Sequence, residues 1–304
     1  MTARSNGALP ALVLLAVIWG YNWVVMKVAL TFCGPFTFGM LRMGIGAAAL
    51  AAGLLGMRRS LRLTAPGPVA LLGLLQTTAF IAFSNLAVAG GGAGKSAVLV
   101  YTMPFWALLL AWPFLHERPR GLQWFAALAG LIGLLLVLYP LDLGAGFRSE
   151  LYAVACGFCW GASVVYAKRL RARIDFELGA LTFWQMIFGT LPLVAFALIA
   201  REPPPQWTFA FNLALLYNTV LGTALGWMLW LHILNKLPAG VAGVAALAAP
   251  VIGVLSAWAQ LHEVPSATEL AGITCIVAAL AGLVLQSRTD ARVAPRAALA
   301  SSDA

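Results

Sequence analysis

The chain repeats itself. Trp19-Gly20 is followed by Lys27, and Trp160-Gly161 is followed by Lys168 at the same spacing. Leu115-His116-Glu117-Arg118-Pro119 returns as Leu261-His262-Glu263-Val264-Pro265. Gly94 and Pro104 recur at the separation of Gly240 and Pro250. One unit of roughly 140 to 150 residues is therefore written twice, and the fold must be built from two like halves. Nearly everything between these marks is apolar. Of 304 residues, 62% are hydrophobic and only 10% charged. A soluble domain carries about 25% charged residues, so the composition implies a polytopic membrane protein.

A membrane-crossing helix needs about 20 mostly apolar residues. Ten segments qualify: 8–29, 35–56, 67–89, 94–115, 119–139, 149–170, 177–199, 208–233, 239–261 and 266–286. The breaks carry turn chemistry, as at Gly34-Pro35, Pro66-Gly67-Pro68, Gly90-Gly91-Gly92, Pro203-Pro204-Pro205, Pro238 and Pro265. With the N-terminus cytoplasmic, Arg58, Arg59, Arg62, Arg118, Arg120, Lys168, Arg169, Arg171 and Arg173 all face the cytoplasm, whereas Lys95, Arg148 and Arg201 face outward. That bias is the positive-inside pattern, and it puts both termini on the cytoplasmic side of the membrane, expected to be a bacterial inner membrane. It also accounts for the net charge of +9. Five spans per half is an odd number, so the second half enters from the opposite side. The predicted fold is all-α, with ten transmembrane helices as two inverted five-helix repeats, residues 1–140 and 141–286. A polar, disordered cytoplasmic tail, 287–304, is expected to follow. Doubled units of this kind build many secondary carriers, which hold substrate between the halves near the bilayer midplane.

Arg42 is the sharpest single residue. It lies about two turns inside the second span, where a charge costs roughly 2.5 to 3.5 kcal/mol on insertion scales. It either grips a substrate carboxylate, which guanidinium matches geometrically, or bonds to neighbouring carbonyls as a structural group. Lys27, near the outer end of the first span, either snorkels to the interface or takes part in gating. Trp19, Asn22, Trp23 and Lys27 share one face of that span, and Trp160 and Ser163 form the matching face of the sixth. Gln76, Phe80 and Ser84 make a stripe on the third span, with Tyr101 and Thr102 on the fourth and Tyr217, Asn218 and Thr219 on the eighth. Together they suggest a cavity with aromatic walls and sparse polar points. Pro104 and Pro250 are expected to kink the fourth and ninth spans at equivalent places, where gating bends belong.

Several other patterns fail. Gly90-Gly91-Gly92-Ala93-Gly94-Lys95-Ser96 is not a phosphate loop, because position 89 is alanine and no strand precedes it. Neither nucleotide nor nucleic acid is an expected partner; the expected ones are a small-molecule substrate and the lipid bilayer. His116-Glu117 and His262-Glu263 do not continue to a zinc-binding motif, so no metal or cofactor is expected. Cys156-Gly157-Phe158-Cys159 lies in a predicted membrane helix and reads as helix packing. Every acid maps to a loop, a helix end or the tail, which leaves no buried carboxylate for a proton relay. Glu269 is the least exposed fallback. Glu117 and Glu263 are expected to favour the starts of the helices that follow them.

The inverted five-plus-five layout, the Trp-Gly openings of the first and sixth helices, Arg42, and the Glu117-Arg118-Pro119 link resemble the EamA-type drug/metabolite transporters over residues 8–286. The size and aromatic-rich core look like the amino-acid exporter branch typified by YddG. This resemblance implies export of small metabolites, often amino acids, from the cytoplasm. Gln185 stands where Arg42 stands in the first half, so the expected pocket is chemically asymmetric. The resulting expectation is a facilitative exporter of aromatic or large neutral amino acids. Its substrate would meet Arg42, Trp19, Asn22, Gln76, Phe80, Tyr101, Trp160, Ser163, Gln185 and Asn218, with Pro104, Pro250 and Lys27 in gating. The alternatives are a multidrug or other metabolite exporter, with or without proton coupling, and an intramembrane lipid-acting enzyme, which lacks a nucleophile–base pair.

Overall fold

The computed structural model describes residues 8–119, 121–139, 145–226, 229, 233 and 239–282, and the regular structure among them is all helical. In chain order the helices are α1 (Ala8–Ala29), α2 (Pro35–Gly56), α3 (Pro66–Gly90), α4 (Ala93–Leu115), α5 (Leu122–Leu138), α6 (Ala145–Arg171), α7 (Leu178–Ile199), α8 (Phe209–Leu225), α9 (Ala239–Leu261) and α10 (Ala267–Gly282). Six of them, α1 to α4, α6 and α7, are long and apolar enough to cross a membrane. The described parts of α5, α8 and α10, and Ala248–Leu261 of α9, are shorter apolar stretches. Each helix falls within a predicted span, give or take a few residues at its ends. The expected tail 287–304, and Trp227, His232 and Lys236, lie outside the described residues.

Local chemistry explains the boundaries. Pro35 and Pro66 open α2 and α3 in the first helical positions, where a missing N–H costs nothing. Glu177 accepts from the Ala180 amide at 2.8 Å and Thr208 from that of Phe211 at 3.2 Å, capping α7 and α8. Large apolar side chains such as Phe125, Leu198, Ile199 and Phe209 stay exposed on the bundle surface. In water that would be a liability, but against lipid it is the ordinary outer face.

Glycines set the crossings. A Cβ on Gly20 would come within 2.6 Å of Ile252 in α9, and one on Gly161 within 2.8 Å of Trp106 in α4. The two Trp-Gly pairs therefore do the same work: α1 packs on α9, and α6 packs on α4. Likewise α3 packs on α6 and α8 on α1, while α2 and α7 pack on each other. Exchanging each helix for its counterpart five places on maps these contacts onto one another.

Two helices are locally widened. α3 passes through a π turn at Leu74–Ala79 and α8 through one at Tyr217–Leu225, at corresponding places in the two halves. The prolines differ from expectation. α4 stops at Val100 and restarts at Met103, so Pro104 sits at the start of a new helical segment and not in mid-helix. Pro250 lies inside α9. Hence the two are not equivalent kinks: in α4 the break precedes the proline and leaves it in a position that tolerates it.

The link between α1 and α2 is covered by the loop after α7. Glu202 accepts from the amides of Phe36 at 3.0 Å and Thr37 at 2.7 Å, and the Gln206 amide donates to Phe32 O at 2.9 Å. A Cβ on Gly34 would collide with the Glu202 carboxyl. Beneath this cover Cys33 is 6% exposed. Burial first, and then the Glu202 charge, push its thiol up to about 12. Thiolate is the nucleophile, so folded Cys33 should resist maleimide at pH 7 to 8 and label only after denaturation, with the folded rate climbing as pH rises toward 12. Fast labelling of the folded protein, read by mass spectrometry, would show that this cover is loose.

Candidate functional site

The polar residues expected to line a pocket are mostly buried, and several are short of partners. Asn22 Oδ1, Arg42 Nε, Thr77 Oγ1, Asn85 Oδ1, Gln185 Oε1 and Asn218 Oδ1 are buried with no hydrogen bond among the described residues. Buried polar atoms are normally paired, so such a group needs a reason.

Arg42, only 8% exposed, projects from α2 toward α1. It enters no ion pair among the described residues, and its hydrogen bond runs from Nη1 to the thioether of Met26 at 3.5 Å. Asn22, one turn before Met26, donates its amide to the same sulfur at 3.1 Å. The other side of Asn22 abuts the π turn of α8, where a Cβ on Gly222 would lie 2.8 Å from Oδ1. Trp19 donates from Nε1 to Gly222 O at 3.2 Å, and Tyr217 donates to Ile18 O at 2.9 Å. Thus α1, α2 and the widened turn of α8 converge on a polar group of Trp19, Asn22, Met26 and Arg42.

A second set is aromatic. The Phe80 and Trp160 rings are 5.2 Å apart, Trp160 and Tyr101 5.7 Å, and Tyr101 and Trp23 6.5 Å, all edge to face. This ladder joins α3, α6, α4 and α1. Other expected site residues stand apart. Ser163 is fully buried and donates to Trp160 O of its own helix at 2.7 Å. Asn218 donates to Ala214 O at 3.0 Å. Gln185 is buried and Gln76 half-buried, neither with a hydrogen bond to the Arg42 group. Two clefts, of about 170 Å³ beside Arg62, Glu177 and Trp184 and about 160 Å³ beside Gly91, Lys95 and Glu150, are lined by none of the expected substrate residues.

The ends of the bundle carry the charges. Lys27 donates to Val88 O at 2.8 Å and Gly91 O at 2.6 Å, the carbonyl end of α3, where a cation is favoured. Glu263 accepts from the amides of Ala93 at 3.0 Å and Gly94 at 3.1 Å, closing the start of α4. The glycine link between α3 and α4 is therefore held from both sides. Glu263 reaches across to the other half in place of serving the helix that follows it. Lys95 bridges Glu150 at 2.6 Å and Glu269 at 2.9 Å, so the fallback acid is already paired. The counterparts behave differently. Lys168, near the far end of α6, pairs directly with Glu117 at 2.5 and 2.8 Å, both side chains more than half exposed.

Sequence reasoning missed Met26, the π turns and the acids that cap across the halves. A signal existed for two of these. Met26 follows Asn22 at a helical spacing of four, and both π turns coincide with threonine-rich runs, Gln76-Thr77-Thr78 and Thr219 to Thr223.

Known proteins share this architecture. A crystal structure superposes with a TM-score of 0.65 at 20% identity, covering 93% of this chain and 98% of its own, which speaks for the fold alone. The uncharacterized transporter YoaV of Bacillus subtilis is 29% identical over 256 residues, 82% of this chain and 87% of that protein. A probable amino-acid metabolite efflux pump of Salmonella typhimurium is 26% identical over 290 residues, 91% of this chain and 94% of the pump. The EamA-like transporter family matches the chain twice, over residues 7–139 and 147–285. Two family units, an all-helical apolar bundle and polar groups buried between its helices lead to one conclusion: the chain belongs to the EamA-like transporter family and is a multi-pass membrane transporter, not an enzyme.

Proposed function

We propose that the chain exports amino acids or closely related metabolites, aromatic and large neutral ones first, by facilitated alternating access between two inverted halves. The observation that carries this is Arg42, a cation buried in an apolar helix with a thioether as its acceptor and no carboxylate beside it among the described residues. A guanidinium so placed fits a ligand that brings its own carboxylate. The aromatic ladder supports a preference for large apolar side chains. The name of the Salmonella relative supports the amino-acid class. Contacts that map onto themselves across the halves, and the paired π turns, support exchange between two related conformations. The lysine and arginine bias supports cytoplasmic termini, which makes the Lys27–Glu263 end the outer one.

The placement of the described acids supports facilitation. Glu117, Glu150, Glu177, Glu202, Glu263 and Glu269 lie at helix ends or links, away from Arg42. The test is uptake of labelled amino acids by proteoliposomes with and without an imposed pH gradient. Saturable uptake of phenylalanine, tyrosine, tryptophan or leucine, indifferent to the gradient, is expected. Flux that tracks the proton gradient would overturn facilitation. Failure of every amino acid would hand the site to other metabolites or drugs.

A further inference from the structure

We propose that Met26 is an internal stand-in for the substrate's carboxylate, and that its thioether sets the affinity threshold a substrate must pass to bind. This inference rests on the amino-acid reading above. Two N–H donors from different helices, Asn22 Nδ2 at 3.1 Å and Arg42 Nη1 at 3.5 Å, converge on the sulfur of a side chain that is 2% exposed. A thioether is among the weakest acceptors a protein offers. A guanidinium is among the strongest donors and matches a carboxylate geometrically, and the Asn22 amide brings a second N–H to the same point. The donors outclass their acceptor. Arg42 Nε is unpaired as well, so the group has more donor capacity than Met26 can use.

The unpaired Asn22 Oδ1 lies on the α8 side, against Gly222, where only a glycine leaves room. An amide that donates from one end and offers a bare oxygen at the other suits a zwitterion, whose ammonium takes the oxygen once the carboxylate has taken the donors. Methionine fits the role of a removable occupant. It is unbranched, with three rotatable bonds, so it can leave the donors without moving its helix. A solute lacking a strong acceptor gains nothing by displacing the sulfur, which makes Met26 a filter for carboxylates.

The test exchanges Met26 for residues of similar volume and opposite acceptor strength. Met26→Leu removes the competing acceptor, and the KM of a transported amino acid should fall roughly fivefold, the worth of about one hydrogen bond. Met26→Gln supplies a stronger acceptor and should raise KM by a similar factor. The matching decarboxylated amine, supplied as inhibitor, should show no such ordering. A purely structural methionine would make both variants worse in the same direction, and that outcome, or an unchanged KM in both, overturns the proposal. Thermal unfolding of each variant with and without the amino acid reports binding apart from turnover. If the parent protein neither moves nor binds any carboxylate-bearing solute, the amino-acid reading falls and this one with it. If it transports normally and only the ordering fails, this one falls alone.

Discussion

Arg42→Ala is expected to lower transport of amino acids by about 100-fold or more while leaving the protein folded. Truncating one partner of a buried charge pair removes some 2 to 5 kcal/mol of interaction. On the proposed reading the second partner is the solute, so the loss should appear in kcat/KM and not in the resting protein. The resting protein should even gain, because alanine removes a cation that α2 buries against a thioether. Thermal unfolding in detergent should stay level or rise, and initial rates in proteoliposomes should collapse. Arg42→Lys separates charge from shape. A point charge cannot reproduce the planar fork, so partial recovery is expected, well below the parent. Transport that survives the alanine change would mean that the carboxylate is held elsewhere and that the arginine merely ties α2 to α1.

Gly189→Val is expected to destabilise the bundle by about 3 kcal/mol, or to abolish folded yield, through overpacking where α7 crosses the π turn of α3. A Cβ at Gly189 would lie 2.3 Å from Thr77 Cβ and 2.5 Å from Gly73 O, and a Cβ on Gly73 would lie 2.6 Å from Gln185 O. Each glycine thus faces backbone, which cannot swing aside. The Thr78 hydroxyl donates to Gly189 O at 2.7 Å, so separating the helices also breaks a buried hydrogen bond. A loss of that size corresponds to a midpoint lowered by roughly 10 °C. The control is Gly53→Leu on α2, where nothing lies within 4 Å of an added Cβ and the midpoint should not move. Equal behaviour of the two variants would show that the α3–α7 crossing is loose.

Much of the architecture was legible from length and punctuation. Apolar runs of about 20 residues broken by Gly34-Pro35 or Pro66-Gly67-Pro68 leave few choices. Arg42 was legible too, because a charge in such a run is rare and must be answered. What answers it was not. A thioether looks like any core side chain until a donor is seen pointing at it. Lys27 was ambiguous for a related reason: its acceptors are backbone carbonyls, which occur at every position and leave no mark in sequence. Glu202 and Glu263 cap helices 165 to 170 residues away, and no local rule reaches that far. Thr219 looked like a pocket-lining group, yet its hydroxyl donates to Leu215 O of its own helix at 2.7 Å. Thr223 donates to Asn218 O five residues back at 2.8 Å, and Thr78 donates across to Gly189 O of α7 at 2.7 Å. Thr219 and Thr223 satisfy carbonyls of their own locally widened helix, whereas Thr78 serves a carbonyl of α7.

The unequal treatment of corresponding charges bears on which state the carrier rests in. Lys27 and Glu263 each secure a helix terminus in half-buried contacts, whereas Lys168 and Glu117 hold each other in the open. Capping contacts are worth about 1 kcal/mol each, and an exposed pair about 0 to 1 kcal/mol. Two identical halves would occupy their opposed forms in equal numbers. An imbalance of about 1.4 kcal/mol makes that ratio ten to one. On the proposed mechanism, contacts of this kind at the rims of the bundle would bias the side from which the carrier waits for its cargo. None of them belongs to the Arg42 group, so the resting bias can drift in evolution while selectivity stays unchanged.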